Sequence, residues 1–491
     1  MSTNTDTFYE AMLARDPRFD GKFFIGVKTT GIYCRPICPA KPKRENVEFF
    51  PNALSAEKAG YRPCLRCRPE CAPLSPAWAG KSAVVQRALK LIAENKLLEL
   101  NEDEFADLLG VTARHLRRLF DEEFGKTPKQ ISDNNRLDFA RKLLTETSLP
   151  VTEIAFASGF SSIRRFNDST KKRFHRSPSD LRKKLLSHPK GAGIYLKLSY
   201  RPPFDWKSLI HFYETHQITG IEKTTNGIYE RIFKIEKTIG GIRLEYGAEQ
   251  PELRLRIVNE DYKHLFRVVQ KVRQMFDLDS DPIVIENCFA GSKPLLELTR
   301  KHPGLRVARG WDPFETTICS ILGQLVSTEQ ARRLVRLLVE GYGQEVKNTF
   351  SGEKAFLFPT PERLAKESLE KLGTTQARKE TIREFSRLFL EGKIRLESTQ
   401  DPIAFRKALL QIPGIGPWTA EYVCLRGLGD PDAFPHSDLI LKRAVKLIPD
   451  LELDRIRPWR GYAAVYLWKE YAASLSKKAA AKLGKKGITK Q

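Results

Sequence analysis

The chain has 491 residues, 41% of them hydrophobic; this is more than one core organises and predicts three or four globular domains rather than a disordered tail. No stretch approaches the roughly 20 uninterrupted apolar residues of a membrane span, and the start MSTNTDTFYE lacks a basic segment with an apolar run behind it, so neither a spanning helix nor a secretory signal is expected and the protein is read as cytosolic. Lysine and arginine outnumber aspartate and glutamate by 83 to 60, a formal net charge of +23, and nucleic acid is the commonest partner of so basic a protein.

The first segment, residues 1–76, is rich in turns and cysteine. Cys34, Cys38, Cys64, Cys67 and Cys71 crowd there, whereas Cys288, Cys319 and Cys424 stand alone in apolar surroundings and read as core residues. In a reducing compartment such a cluster points to metal rather than disulfides. Cys34-x3-Cys38 and Cys64-x2-Cys67 are two close pairs separated by a loop, the way a chain wraps four thiolates around one tetrahedral Zn²⁺. Spacing alone leaves a purely structural zinc ribbon and a reactive centre both open. Cys71 falls outside the four-ligand pattern. Arg35, Arg44, Arg62, Arg66 and Arg68 are candidate phosphate contacts, though a surface arginine is more often merely solvated.

Residues 82–187 read as helical, with Val84, Ala88, Leu91 and Ile92 at helix spacing. Phe124-Gly125-Lys126-Thr127-Pro128 recurs as Phe174-His175-Arg176-Ser177-Pro178, and Leu109-Gly110-Val111-Thr112 is answered by Ser158-Gly159-Phe160-Ser161. Each copy reads helix, glycine turn, hydroxyl N-cap, second helix, the grammar of a helix-turn-helix. The second helices carry Arg114, His115, Arg117 and Arg118 in one copy, and Arg164, Arg165, Lys171, Lys172 and Arg173 in the other, as a helix beside phosphates and base edges requires. A basic linker, Lys183 to Lys190 and then Gly191-Ala192-Gly193, closes the segment.

Residues 195–305 open on strand-like alternation, Leu196, Leu198 and Tyr200, with Leu253, Leu255 and Ile257 later. From about Pro303 the pattern is helical, and residues 306–476 form the last domain. Within it Ile412-Pro413-Gly414-Ile415-Gly416-Pro417-Trp418 reads as a helix-hairpin-helix, whose turn offers backbone N–H groups to a phosphate through Gly414 and Gly416. Twenty residues beyond Trp418 lies Asp438, at the start of the helical run Leu439 to Ile448. Such an aspartate is usually only a cap. Residues 477–491 hold six lysines and no acid and predict a mobile, solvated tail.

Three resemblances join these pieces. Gly26 to Pro36 and Gly60 to Cys67 resemble the zinc domain of Ada proteins, which implies that Cys34 accepts a methyl group from a methylated DNA phosphate while Cys38, Cys64 and Cys67 complete the zinc site. The repeat over residues 82–187 resembles the AraC-type double helix-turn-helix, implying promoter DNA and RNA polymerase as partners. Leu198 to Trp206, Met275 to Leu278 and Ile321 to Ser327 resemble AlkA, and the hairpin with Asp438 resembles the helix-hairpin-helix DNA glycosylases. That likeness implies Asp438 as the catalytic carboxylate, Trp418, Tyr422 and Trp468 as an electron-rich pocket for a cationic alkylated base, and Leu325, beside Gln324, as the wedge that fills the gap when a nucleotide flips out. Tryptophan at 418 replaces the nucleophilic lysine of relatives that also cut the backbone, implying base release without strand cleavage. Hairpins of this kind can also hold a monovalent cation through backbone carbonyls.

The expected architecture is multidomain and mainly α: a small zinc-bound α+β domain, an all-α double helix-turn-helix, a mixed α/β AlkA-type N-terminal domain and an all-α glycosylase domain. The expected protein is a monomeric, nucleoid-associated bacterial factor acting on double-stranded DNA, both alkylated and promoter. Two alternatives stay open: a glycosylase with a purely structural zinc half, and a regulator with an inactive glycosylase half.

Overall fold

A computed structural model describes residues 5–16, 19–20, 22–51, 55–56, 59–64, 67, 83–182, 193–247, 249–396 and 402–487. Arg66, Arg68, Cys71 and most of the linker from Lys183 to Ala192 lie outside the described residues.

In the N-terminal unit the helix Thr5–Ala14 shares a core with a four-stranded sheet in the order Val47–Phe50, Phe24–Val27, Ile32–Cys34, Arg62–Pro63. Ile25 stands opposite Cys34 and Phe49 in antiparallel pairs, while Arg62–Pro63 runs parallel to Ile32–Cys34. The parallel edge delivers Cys64 beside Cys34, since Cys64 N donates to Tyr33 O at 2.9 Å.

The repeat folds as two helix-turn-helix units, Glu102–Asp107 with Ala113–Phe124 and Val151–Ala157 with Ile163–Phe174, around the long helix Pro128–Glu146. Thr112 caps the first recognition helix, its hydroxyl accepting from His115 N at 3.2 Å. In the second copy the cap is Ser162, one residue past the expected Ser161, accepting from Arg165 N at 3.3 Å. Arg114, Arg117, Arg118, Arg164 and Arg165 are exposed. Arg173 is not: it turns inward and clasps Asp138 with Nη2 at 2.8 Å from both carboxylate oxygens, which removes it from the expected DNA contacts.

The next unit is a five-stranded antiparallel sheet in the order Ile194–Ser199, Glu252–Asn259, Thr238–Tyr246, Ile228–Ile235, Glu222–Thr225. Ile194, Leu196 and Leu198 are buried and their neighbours are not, the period-two pattern of a strand with one covered face. Helices Trp206–His216 and Leu265–Met275 contribute to that core. So do the second helix-turn-helix, through Ile154, Phe166 and Phe174, and the long helix Pro128–Glu146, where Phe139 meets Phe266 edge-to-face at 5.0 Å and Glu146 Oε2 accepts from Lys197 N at 3.0 Å.

The remaining helices enclose a second core, which takes in Ile285 and Phe289 of Pro282–Phe289, Leu295 and Leu298 of Lys293–Lys301, and Ile218 and Ile221 from beside the sheet. Two features depart from the sequence expectation. A short hairpin, Gln344–Lys347 with Lys354–Leu357, interrupts the helical pattern and packs Ala355 and Leu357 on Ile232 of the sheet. The helix Arg460–Gly487 runs on through most of the segment expected to be a loose tail, because its alanines and lysines are good helix formers. Among the described residues no helix is long and apolar enough to cross a membrane.

Candidate active site and metal centre

Asp438 occupies the N-cap of the helix Leu439–Lys446, and Leu441 N donates to its Oδ1 at 2.7 Å. Two indoles complete its shell. Trp418 Nε1 donates to Oδ2 at 2.9 Å, and Trp468 Nε1 donates to Oδ1 at 3.1 Å. Trp418 comes from the helix Pro417–Val423 behind the hairpin and Trp468 from the helix Arg460–Gly487. The loop that carries Asp438 is braced from both sides. Arg406 bridges Glu421 and Asp430, Glu421 Oε2 accepts from Phe434 N at 3.1 Å, and Asp432 accepts from Arg460 Nε at 2.8 Å.

The carboxylate opens on a cavity of about 1350 Å³, whose lining includes Trp418, Tyr422, Trp468, Leu325, Gly414 and Gly416. Trp418 and Tyr422 stack at 5.0 Å with 24° between their planes. At the rim Leu325 is fully exposed, with φ +55° in the turn between helices Pro313–Leu322 and Thr328–Tyr342. A leucine in that left-handed conformation costs about 1 kcal/mol or more and persists only where its surroundings enforce it. Here Arg378 Nη2 donates to Gln324 O at 2.7 Å. Gln324 Nε2 in turn donates to Gly414 O at 2.9 Å and to Thr419 Oγ1 at 2.7 Å. The Gln324 amide hydrogens are therefore spent tying the Leu325 turn to the hairpin, not presented outward.

Sequence reasoning missed the far wall. Phe212, from the sheet domain, lines it together with Arg426, whose guanidinium carbon lies 4.0 Å from the Phe212 ring centre. Deeper still, Arg231 pairs with Glu222 and with Glu315, and burial pushes the Glu315 carboxyl up to about 7. Cys319 also lines this cavity, its thiol pushed up by burial.

In the N-terminal unit the sulfurs of Cys34, Cys38, Cys64 and Cys67 lie within 4.8 Å of one another. A regular tetrahedron with metal–sulfur bonds of about 2.3 Å has edges of about 3.8 Å, so the four side chains fit one Zn²⁺. Arg35 N donates to the Cys67 sulfur at 3.3 Å, the kind of hydrogen bond that steadies a metal-bound thiolate. Arg35 itself is no surface phosphate contact. It is 5% exposed, its Nε donates to the buried Asp20 Oδ1 at 2.7 Å, and its Nη1 donates to Cys67 O at 3.2 Å. Arg44 packs over Tyr9 and pairs with Asp6 at 2.7 Å.

Two arginines that the sequence did not single out reach this unit from elsewhere. Arg141, fully buried on the helix Pro128–Glu146, donates from Nη2 to Cys64 O at 2.7 Å. Arg201, fully buried beside the sheet, donates from Nε to Asp20 O at 2.8 Å.

Comparison with known proteins matches three stretches of the chain to family models. Residues 7–70 match the metal binding domain of Ada, residues 105–184 a helix-turn-helix domain, and residues 195–312 the AlkA N-terminal domain. A probable bifunctional transcriptional activator/DNA repair enzyme AlkA from Mycobacterium tuberculosis is 35% identical over 482 residues, spanning 95% of this chain and 97% of that protein. DNA-3-methyladenine glycosylase 2 of Escherichia coli is 27% identical over 55% of this chain and 95% of its own length. The bifunctional transcriptional activator/DNA repair enzyme Ada of the same organism is 42% identical over 25% of this chain and 34% of its own. The chain belongs to the family of Ada–AlkA fusion proteins, with the zinc-binding cysteines of the Ada domain at one end and an AlkA-type half at the other.

Proposed function

We propose that the chain is a DNA alkylation-repair and response protein that excises alkylated purines, of the 3-methyladenine type, with Asp438. One observation carries this reading: a carboxylate held by two indole N–H groups and a helix-terminal amide, facing a large aromatic cavity whose rim bears an exposed leucine and a phosphate-binding hairpin. The hairpin amides hold the backbone. Leu325 fills the stack from which the damaged nucleotide leaves, and the extruded base enters between the rings. The C1′–N bond then breaks with its electron pair passing to the base, so a cationic alkylpurine departs neutral. The sugar keeps the positive charge, which Asp438 stabilises across a short gap until water adds at C1′ and loses its proton. Trp418 and Trp468 orient the carboxylate without supplying a proton. Trp418 also offers no amine to form an imine with the sugar, so the strand stays uncut.

In the zinc half, Cys34 is the proposed methyl acceptor. A Zn²⁺ bound by the four cysteines would hold its sulfur as thiolate at neutral pH. That sulfur attacks the methyl carbon of a phosphotriester; the O–CH₃ bond breaks, leaving an ordinary phosphodiester and a thioether that is not turned over. The loss of negative charge at the centre strengthens binding to DNA, and the exposed arginines 117, 118, 164 and 165 carry that gain to a promoter, where RNA polymerase is the expected partner. The protein acts on double-stranded DNA as a monomer, in the bacterial nucleoid.

The test is single-turnover release of 3-methyladenine from a methylated duplex. Asp438→Asn is expected to lower the rate by about 10²–10³, the cost of losing a preorganised charge at the reacting centre, while duplex affinity stays within about threefold. Equal rates for the two proteins overturn the assignment.

A further inference from the structure

The aromatic cavity already contains a cation. Arg426 lies on the π-helical turn Cys424–Leu428 and is 7% exposed. Its guanidinium carbon sits 4.0 Å from the ring centre of Phe212, 5.3 Å from that of Tyr422 and 5.4 Å from that of Trp468. Nη1 donates to Ala308 O at 2.7 Å. Among the described residues no carboxylate lies within ion-pairing distance of it, whereas the neighbouring Arg231 is matched by Glu222 and Glu315. The residue is thus a fixed, buried positive charge whose counterparts are the electron-rich faces of the rings and the Tyr422 hydroxyl, to which it hydrogen-bonds.

This arrangement alters what the slot selects. Rings that share their faces with a resident cation have less attraction left for a cationic base, and in a cavity screened from water the like charge repels it. A neutral damaged purine has the opposite need. When its C1′–N bond breaks, the electron pair leaves the base negative, and a proton must come later from the water that supplies hydroxide to the sugar. A guanidinium beside the leaving base stabilises that negative charge as it develops.

We infer that Arg426 is the specificity-determining residue of the pocket, lowering its preference for formally cationic alkylpurines and extending excision to neutral damaged purines. The inference rests on the glycosylase reading above.

Its test compares kcat/KM for hypoxanthine, a neutral base, and 7-methylguanine, a cationic one, each in duplex DNA, using the full-length zinc-loaded protein. Arg426→Gln is expected to lower the hypoxanthine to 7-methylguanine ratio about tenfold or more, and Arg426→Lys, which keeps the charge, to hold it within about threefold. A ratio unmoved by Gln, or moved equally by Gln and Lys, overturns the inference. Should the Gln protein not fold, the wild type decides: free neutral 7-methylguanine is expected to inhibit excision more strongly than the 7,9-dimethylguaninium cation, and the reverse order overturns the claim. If the wild type releases neither base, the glycosylase reading itself falls; if it releases both and the ratio stands still, the specificity role alone does.

Discussion

Asp438 accepts from three donors of two kinds, and the difference matters. The backbone donor Leu441 N belongs to a helix start and would hold any cap residue, whereas the indoles of Trp418 and Trp468 arrive from separate helices and fix the plane of the carboxylate. Glu315, deeper in the same cavity, shares Arg231 with Glu222 yet is pushed up to about 7 by burial. The folded protein therefore keeps that proton to higher pH than the unfolded chain, in which the carboxyl titrates near its ordinary value of 4.5. The stability it contributes is complete below that value and is lost as pH rises through about 7, by an amount on the order of 3 kcal/mol. Glu315→Gln is expected to abolish this loss, so that the variant gains on the wild type between pH 5 and pH 7.5 in thermal unfolding. Parallel pH profiles contradict it. Residues of this sort were not legible in the sequence. A basic side chain on a helix reads as solvated, and nothing in Arg426, Arg141 or Arg201 announces that its partner comes from another unit of the chain. The four cysteines were legible because their spacing is itself the signal, whereas Asp438, by itself a helix cap, stood out only through the resemblance to helix-hairpin-helix glycosylases.

At the scale of elements, the hairpin and the Leu325 turn behave as one piece. Gly414 has φ +88°, and a Cβ there would stand 2.1 Å from Thr381 Oγ1, the hydroxyl that donates to Pro413 O at 2.9 Å. Gln324 donates to the next carbonyl, that of Gly414. Gly414→Ala therefore meets a left-handed backbone and a displaced threonine together, and is expected to lower stability by about 1–3 kcal/mol. Duplex affinity is expected to fall about tenfold as the phosphate-binding amides move. Fluorescence anisotropy and a thermal melt check both; unchanged values contradict the coupling. The glycines of this turn advertise themselves in the sequence. The hairpin Gln344–Lys347 with Lys354–Leu357 does not, since two four-residue strands are too short for an alternating pattern to rise above the surrounding helices.

As a whole molecule, the chain is less divisible than its sequence suggests. The second helix-turn-helix shares a core with the five-stranded sheet, Arg141 holds the carbonyl of the zinc ligand Cys64, and Arg201 holds Asp20, which in turn clasps Arg35 beside Cys34. The linker and repeats separate these units along the chain, while long-range contacts of buried arginines join them in space. The proposed division of labour survives this fusion, because Cys34 and Asp438 lie on different units. Cys34→Ala is expected to abolish methyl uptake from methylphosphotriester DNA, read by mass spectrometry of the N-terminal peptide, without lowering base excision; persistent methylation of that peptide contradicts the acceptor assignment. The central claim, that Asp438 stabilises a cationic sugar, has a more direct test in binding. Duplexes carrying a positively charged pyrrolidine abasic nucleotide and its neutral tetrahydrofuran counterpart differ chiefly in that charge. The wild type is expected to favour the pyrrolidine by about tenfold or more, and Asp438→Asn to bind the two alike; an asparagine variant that keeps the full preference contradicts the account.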